Sequence, residues 1–299
     1  MTVVCLGGVV LDRVFEVPLI PVEPVKVTAT EFRETGGGVA ATAAVAVAAL
    51  GGKADFWSRV GDDQAGDWLA ADLARRGVGV DGLQRVKGGR TGVSAVLVDP
   101  KGERLIAVAV YRGGGYPRDL PLGKLKDGDV ALVDARWPEG AGVLLEAARA
   151  RGMPRVLDAD IGEDAALRSL AAGSDHAIFA AGALARLSGS RDPEAGLAWA
   201  RRHCPGLVAV TLGESGVTWS GPDGAGHQPA FAVAVKDTTG AGDVFHGAYA
   251  LALNEGRPAA AAMRFAAAAA AIKCQRGAGW DGMPDRAQVD QMLKEGKTR

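Results

Sequence analysis

The chain has 299 residues, 48% of them hydrophobic, and its 34 Lys and Arg against 35 Asp and Glu leave a net charge of −1. That length supports one large buried core, and the scattered, balanced charge excludes the basic stripe with which a protein neutralises nucleic-acid phosphates. Three cysteines (Cys5, Cys204, Cys274), odd in number and widely spaced, fit neither a zinc site nor a disulfide framework and read as buried apolar residues in a reducing compartment.

In chain order, the first β-prone run is TVVCLG (2–7), and acidic Asp12 follows before any basic leader or long apolar stretch. This predicts a cytoplasmic chain with no signal peptide. Residues 12–34 carry alternating β-prone pieces, DRVFEV and KVTATEF, with no helix between them. An Ala-rich stretch predicts a helix over 39–50, stopped by Gly51-Gly52. DFWSRVG (55–61) and a helix over 64–76 come next, and residues 91–113 again alternate without a helix (TGVSAVLVD, ERLIAVAVY). Beyond them lie DVALVDA (129–135), a helix near 139–151, RVLDAD (155–160), HAIFA (176–180) and LVAVTLG (207–213).

Strands alternating with helices predict βαβ crossovers and a buried, mostly parallel sheet. The helix-free stretches 12–34 and 91–113 predict antiparallel pieces of a small separate sheet, able to close over the main body as a water-excluding lid. The whole chain, 1–299, reads as a single domain carrying that lid. The Ala-rich 258–272 segment contains Arg264, is amphipathic, and is too short to cross a membrane.

The segment richest in chemistry is Asp237-Thr238-Thr239-Gly240-Ala241-Gly242-Asp243, leading into a helix that runs to about Asn254. Small residues at Gly240, Ala241 and Gly242 let the backbone approach a ligand closely, and the helix start aims free N–H groups and partial positive charge at it. The combination makes an anion hole for a phosphoryl group. Asp243, in the first helical turn, is placed to accept the proton of an attacking hydroxyl. An acidic residue there is favourable in its own right by a few tenths to about 1 kcal/mol, so a bare GxGD would say little; the full string is far more restrictive. Other phosphate motifs fail on spacing. Gly296-Lys297-Thr298 has Gln291 where a Walker A loop needs Gly, and Phe245 stands where a dinucleotide fingerprint needs Gly.

DTTGAGD resembles the C-terminal signature of the ribokinase-like (PfkB) carbohydrate kinase family, and the resemblance runs from about residue 3 to about 285. It implies a three-layer Rossmann-type core with a β lid, and ATP with Mg²⁺ as cofactors. Gly36-Gly37-Gly38 opening the first helix resembles the family's sugar-binding signature, which implies substrate contacts from Gly37, Gly38 and Thr42, the last where relatives usually carry Asn. Asp12 stands where the family places an acid that accepts from two sugar hydroxyls. Val60-Gly61-Asp62-Asp63 with Gly66 matches a further motif, and Thr211, Gly213 and Gly216, with Lys273, would lie near the nucleotide. Ala180 and Ala183 replace an Asn and a Glu that help organise Mg²⁺ in relatives, so no side-chain metal ligand is assigned. The small sheets of relatives often pair between subunits, which implies a homodimer through the lid.

Three strings look like the branch that phosphorylates 6-deoxy-6-sulfofructose at its C1 hydroxyl: Thr35 to Ala43, Asp134-Ala135-Arg136-Trp137, and His227-Gln228-Pro229-Ala230-Phe231 with the Asp243 helix. In that branch Thr at position 42 is normal. Arg136 follows a parallel strand at its carboxyl end, where ligands of open α/β sheets bind, and Lys26 lies in the expected lid. Together they could hold an anionic tail, or they are ordinary solvated cations. That branch also tends to place an Asn near Val108, which this chain lacks. A neutral-sugar kinase of fructose or ribose type, and a catalytically weak sugar-sensing regulator, are the alternatives.

Overall fold

The computed structural model describes residues 1–100, 102–277 and 279–298. The first half of the chain forms β1 (Val3–Leu6), β2 (Val10–Glu16), β3 (Glu31–Gly37), α1 (Val39–Ala49), β4 (Ala54–Gly61), α2 (Gln64–Arg75), β5 (Val78–Val86), β6 (Val93–Val98) and β7 (Arg104–Ala109). The second half continues with β8 (Val130–Val133), α3 (Pro138–Arg149), β9 (Arg155–Ala159), α4 (Asp164–Ala172), β10 (His176–Ala180), α5 (Ala181–Ser188) and α6 (Pro193–Arg201). It closes with β11 (Leu207–Thr211), β12 (Val217–Gly221), β13 (Gly224–Gln228), α7 (Ala241–Asn254), α8 (Ala259–Arg276) and α9 (Arg286–Glu295).

The main sheet has nine strands in the order β13-β12-β11-β10-β9-β8-β1-β4-β5. Pairing is parallel from β11 through β5, and an antiparallel hairpin, β12–β13, extends one edge. Strands covered on both faces read as unbroken apolar runs, and β1 (VVCL) and β8 (VALV) are buried throughout. Their side chains alternate between two cores. Val3, Cys5, Val130 and Leu132 join one with α1, α2, α7 and α8, while Val4, Leu6, Ala131 and Val133 join the other with α3, α4, α5 and α6. The result is a helix–sheet–helix sandwich. Helices α1 and α7 pack backbone to backbone because a side chain at Gly247 would strike the Ala43 carbonyl, and this closeness sets their N-termini side by side.

A second, four-stranded sheet has the order β3-β2-β6-β7. It departs from the antiparallel expectation: β2–β3 and β6–β7 are antiparallel, but β2 and β6 pair parallel, Asp12 beside Ser94. Both excursions leave the main sheet at its carboxyl edge, β2 after β1 and β6 after β5, so their first strands run outward together. The expected strand KVTATEF begins only at Glu31. Pro18, Pro21 and Pro24 lie upstream, and proline denies a ladder its N–H donors. Cys5 and Cys204 are buried as expected, whereas Cys274 is only half-buried; all three are free thiols. No helix among the described residues is long and apolar enough to cross a membrane.

Candidate active site

The carboxyl ends of β1 and β8, the N-termini of α1 and α7, and the inner face of the small sheet enclose a cavity of about 780 Å³. Strand alternation decides what the small sheet contributes, since one face presents Asp12, Ser94, Val96, Arg104 and Ile106 to the cavity.

On the α7 side, Gly240 caps the helix in the left-handed region (φ 72°), where only Gly sits without cost. The Ala241 N–H turns back to the Thr238 carbonyl (3.2 Å) and the Val244 N–H to that of Gly240 (2.9 Å). Between them, the N–H groups of Gly242 and Asp243 meet no protein acceptor among the described residues. Two free amides at a helix start are suited to holding an anion. Asp237 accepts the Thr239 N–H (2.7 Å) and pairs with Arg104 of β7, which ties this loop to the small sheet. The Asp243 carboxyl lines the cavity; burial raises it well above the usual carboxylate range, the Asp158 charge raises it further, and His246 opposes both. A raised carboxylate suits a base that must take a hydroxyl proton near neutral pH.

On the opposite side, Asp134 fixes the geometry. Its carboxylate accepts the backbone N–H groups of Gly8 (2.8 Å), Ala40 (3.0 Å) and Arg136 (2.7 Å), locking together the turns after β1 and β8 and the start of α1. Burial still pushes it up to about 6. Asp12 accepts the Ser94 hydroxyl and overhangs the Gly37 backbone. Thr42 lines the cavity and accepts the Trp280 indole N–H (3.0 Å), which leaves its own O–H free to donate. The residues of the VGDD motif are tied into local structure. Asp63 caps α2 at the Gly66 N–H (3.0 Å) and accepts both the N–H (2.9 Å) and hydroxyl (2.6 Å) of Thr91.

The expected residues separate into two groups. Asp12, Gly37, Gly38, Thr42, Arg136, Gly240, Asp243 and Lys273 line one cavity. Lys26, Ala241, Gly242, Thr211, Gly213 and Gly216 do not line it. Lys26 is exposed on the Pro-rich segment between β2 and β3, outside the ladder that would aim it inward. Thr211 ends β11, and Gly213 and Gly216 lie in the turn after it, both at positive φ. Lys273 directs its Nζ to the Gly277 carbonyl (3.0 Å) at the end of α8.

Arg136 makes no ion pair among the described residues, whereas the cavity arginines Arg33 and Arg104 are paired with Glu16 and Asp237. Arg59 is a second cation without an ion pair among the described residues, with its guanidinium against the rings of Trp137 (4.5 Å) and Tyr111 (4.9 Å). Arg59, Ser94, Arg104 and Trp280 escaped the sequence reading because only the tertiary fold brings them here. For a divalent cation the fit is poor: Ala180 and Ala183 carry no oxygen ligand on their side chains, and no group of three metal-ligating side chains occurs among the described residues.

The family model of the pfkB carbohydrate kinases matches residues 1–286. Ribokinase from Bacillus subtilis is 29% identical over 292 residues, which cover 96% of this chain and 98% of its own. A solved structure from Agrobacterium tumefaciens superimposes with a TM-score of 0.90 at 35% identity, covering 98% of this chain and 97% of that one. The structure of Arabidopsis thaliana ribokinase complexed with ribose and ATP gives a TM-score of 0.83 at 27% identity over 98% of both chains.

Proposed function

Because the chain belongs to the pfkB family of carbohydrate kinases and is an ATP-dependent sugar kinase, we propose that its acceptor is the C1 hydroxyl of a ketose with an anionic tail, such as 6-deoxy-6-sulfofructose. The observation that carries this reading is Arg136, a guanidinium on the cavity wall beyond β8 with no ion pair among the described residues. A planar fork at that position suits a sulfonate or phosphate.

In this reading Asp12 accepts sugar hydroxyls, Thr42 donates to one, and Gly37 and Gly38 give the sugar close access to backbone. Asp243 takes the proton of the attacking hydroxyl while the Gly242 and Asp243 amides stabilise charge on the transferred group. The small sheet acts as a lid that excludes water, latched to the phosphate loop through Arg104 and Asp237. Thr211, Gly213, Gly216 and Lys273 belong to the nucleotide side. Mg²⁺ would enter with the nucleotide and neutralise phosphate charge, with no side-chain ligand assigned to it here.

The acceptor is tested by comparing sulfofructose, fructose, fructose 6-phosphate and ribose. The anionic ketose should have the highest kcat/KM, and Arg136→Ala should raise its KM by the equivalent of about 1–3 kcal/mol with kcat little changed. Equal use of neutral fructose by the parent chain contradicts the anion pocket. The neutral-sugar reading draws on Lys26, whose absence from the cavity removes one of the two cations expected there.

A second copy of the chain is the proposed partner of the lid. Strand β7 is an edge strand whose Leu105, Ile106 and Val108 are exposed, next to Val110, and unpaired edges invite strand addition. Light scattering is expected to report a dimer, and Leu105→Arg, on the face away from the cavity, a monomer. A monomeric parent overturns the assignment.

A further inference from the structure

Beneath the first turn of α7 lies a buried pair that the chemistry above does not use. His246 and Asp158 are 2% and 3% exposed. The imidazole Nδ1 is 2.7 Å from the Gly242 carbonyl oxygen and 2.9 Å from Asp158 Oδ2, and Nε2 is 3.3 Å from the Ile178 carbonyl oxygen. Every neighbour of both ring nitrogens is an acceptor. A neutral imidazole has a lone pair on one nitrogen, and here that lone pair would face an oxygen lone pair in the protein interior. These contacts are satisfied when each nitrogen carries a hydrogen, that is, when the ring is an imidazolium.

The single hydrogen on Nδ1 points to Gly242, so the carboxylate gains a charge contact rather than a straight hydrogen bond. The Asp158 oxygens find no hydrogen-bond donor among the described residues. An uncompensated carboxylate is costly in such a place, and the imidazolium is its compensation. The acidic groups bearing on the ring come from several elements: Asp243 from α7 itself, Asp158 from β9, and, through Asp243, Asp160 after β9 and Asp134 after β8. β10 offers the Ile178 carbonyl, and from α8 the Lys273 ammonium acts on Asp243.

We propose that His246 is a positioning residue, a standing imidazolium that fixes the Gly242 peptide in the anion loop and offsets the Asp158 charge so that Asp243 can ionise and act as the base. Burial alone would push the imidazole down, but the Asp158 charge and the contacts to Asp158 and Gly242 lift it to about 9. The converse holds at Asp243, where His246 is the counterweight to burial and to Asp158. The inference rests on the sugar-kinase activity but not on which sugar is the acceptor.

Imidazole ¹⁵N spectra of the full chain give the first test. The sequence has four histidines, and the His246 signals are those that vanish in His246→Asn. Both of its ring nitrogens should hold imidazolium shifts from pH 6 to pH 8; a neutral tautomer at pH 7.5 overturns the proposal. The second test is kcat against pH, with ATP and the best acceptor of the panel. His246→Asn should lower kcat at neutral pH by ~10-fold and move the acid limb up by about one pH unit, with the sugar KM nearly unchanged. Adding Asp158→Asn removes the opposing charge and should move the limb back toward the parent's. A residue that only fills space would lower the melting temperature and leave the limb in place, and an unmoved limb overturns the assignment. Should the single variant not fold, the double variant assigns the His246 signals, and the parent's spectra decide between imidazolium and neutral ring.

Discussion

Replacing Asp243 by Asn is expected to lower kcat by at least ~100-fold, the usual contribution of a positioned base, while the fold and ATP affinity are retained. The side chain keeps its size and its place on the cavity wall, and the Gly242 and Asp243 amides stay free, so the variant removes a proton acceptor and little else. In the parent, burial and Asp158 raise the Asp243 carboxyl, so activity should fall on acidification through a limb above the ordinary carboxylate range. The linkage sign follows from the same shift. A carboxyl raised on folding favours the folded state at low pH, and that contribution is lost as pH rises through the folded value. Above that value the ionised Asp243 contributes no stability, and there thermal unfolding of Asp243→Asn should occur at or above the parent temperature. Near-parental turnover would remove Asp243 as the base.

Gly38→Ala should produce the largest loss of stability among single changes at the site, about 3 kcal/mol in urea unfolding. Gly38 caps α1 at φ 97° and ψ 143°, a region that L-residues rarely enter. A Cβ there would lie 2.6 Å from both the Gly8 carbonyl oxygen and Val9 Cα, atoms of backbone that cannot rotate away. Relief requires shifting the first turn of α1, and with it the Ala40 amide on Asp134 and the Thr42 hydroxyl. A loss of sugar affinity should accompany the loss of stability. Gly51→Ala is the control: φ is 82° and nothing lies within 4 Å of the added Cβ, so only conformational strain of about 1 kcal/mol is expected.

How much could be read in the sequence depended on how local the determining physics was. The core strands were legible because burial on two faces makes apolar runs, α2 and α3 because burial on one face makes 3.6-residue periodicity, and α1, buried all round, because its alanines are strong helix formers stopped by Gly51-Gly52. The start of α7 was legible because a left-handed cap and close backbone approach demand glycine at one position. β5 (VGVDGLQRV) was missed because two glycines and an aspartate break its alternation, and β12–β13 because its strands are small and polar, although Pro222-Asp223-Gly224 is a turn signal. The parallel β2–β6 pair depends on where two excursions leave the main sheet, which no local pattern records. Trp280 reaches Thr42 across 238 residues of chain, and Arg104 reaches Asp237 across 133. Contacts of that kind are properties of the fold. Lys26 shows the converse: a residue of the right charge in the right segment still needs a ladder to aim it.

Transfer of a phosphoryl group from ATP to a sugar hydroxyl by Asp243 and the adjoining amides is tested most directly by ³¹P NMR of the chain with ATP, Mg²⁺ and the acceptor panel. The prediction is a new phosphate-monoester resonance growing in step with ADP for the parent chain, and none for Asp243→Asn over the same period. Growth of ADP with inorganic phosphate alone, or an ester formed at the same rate by both proteins, would contradict it.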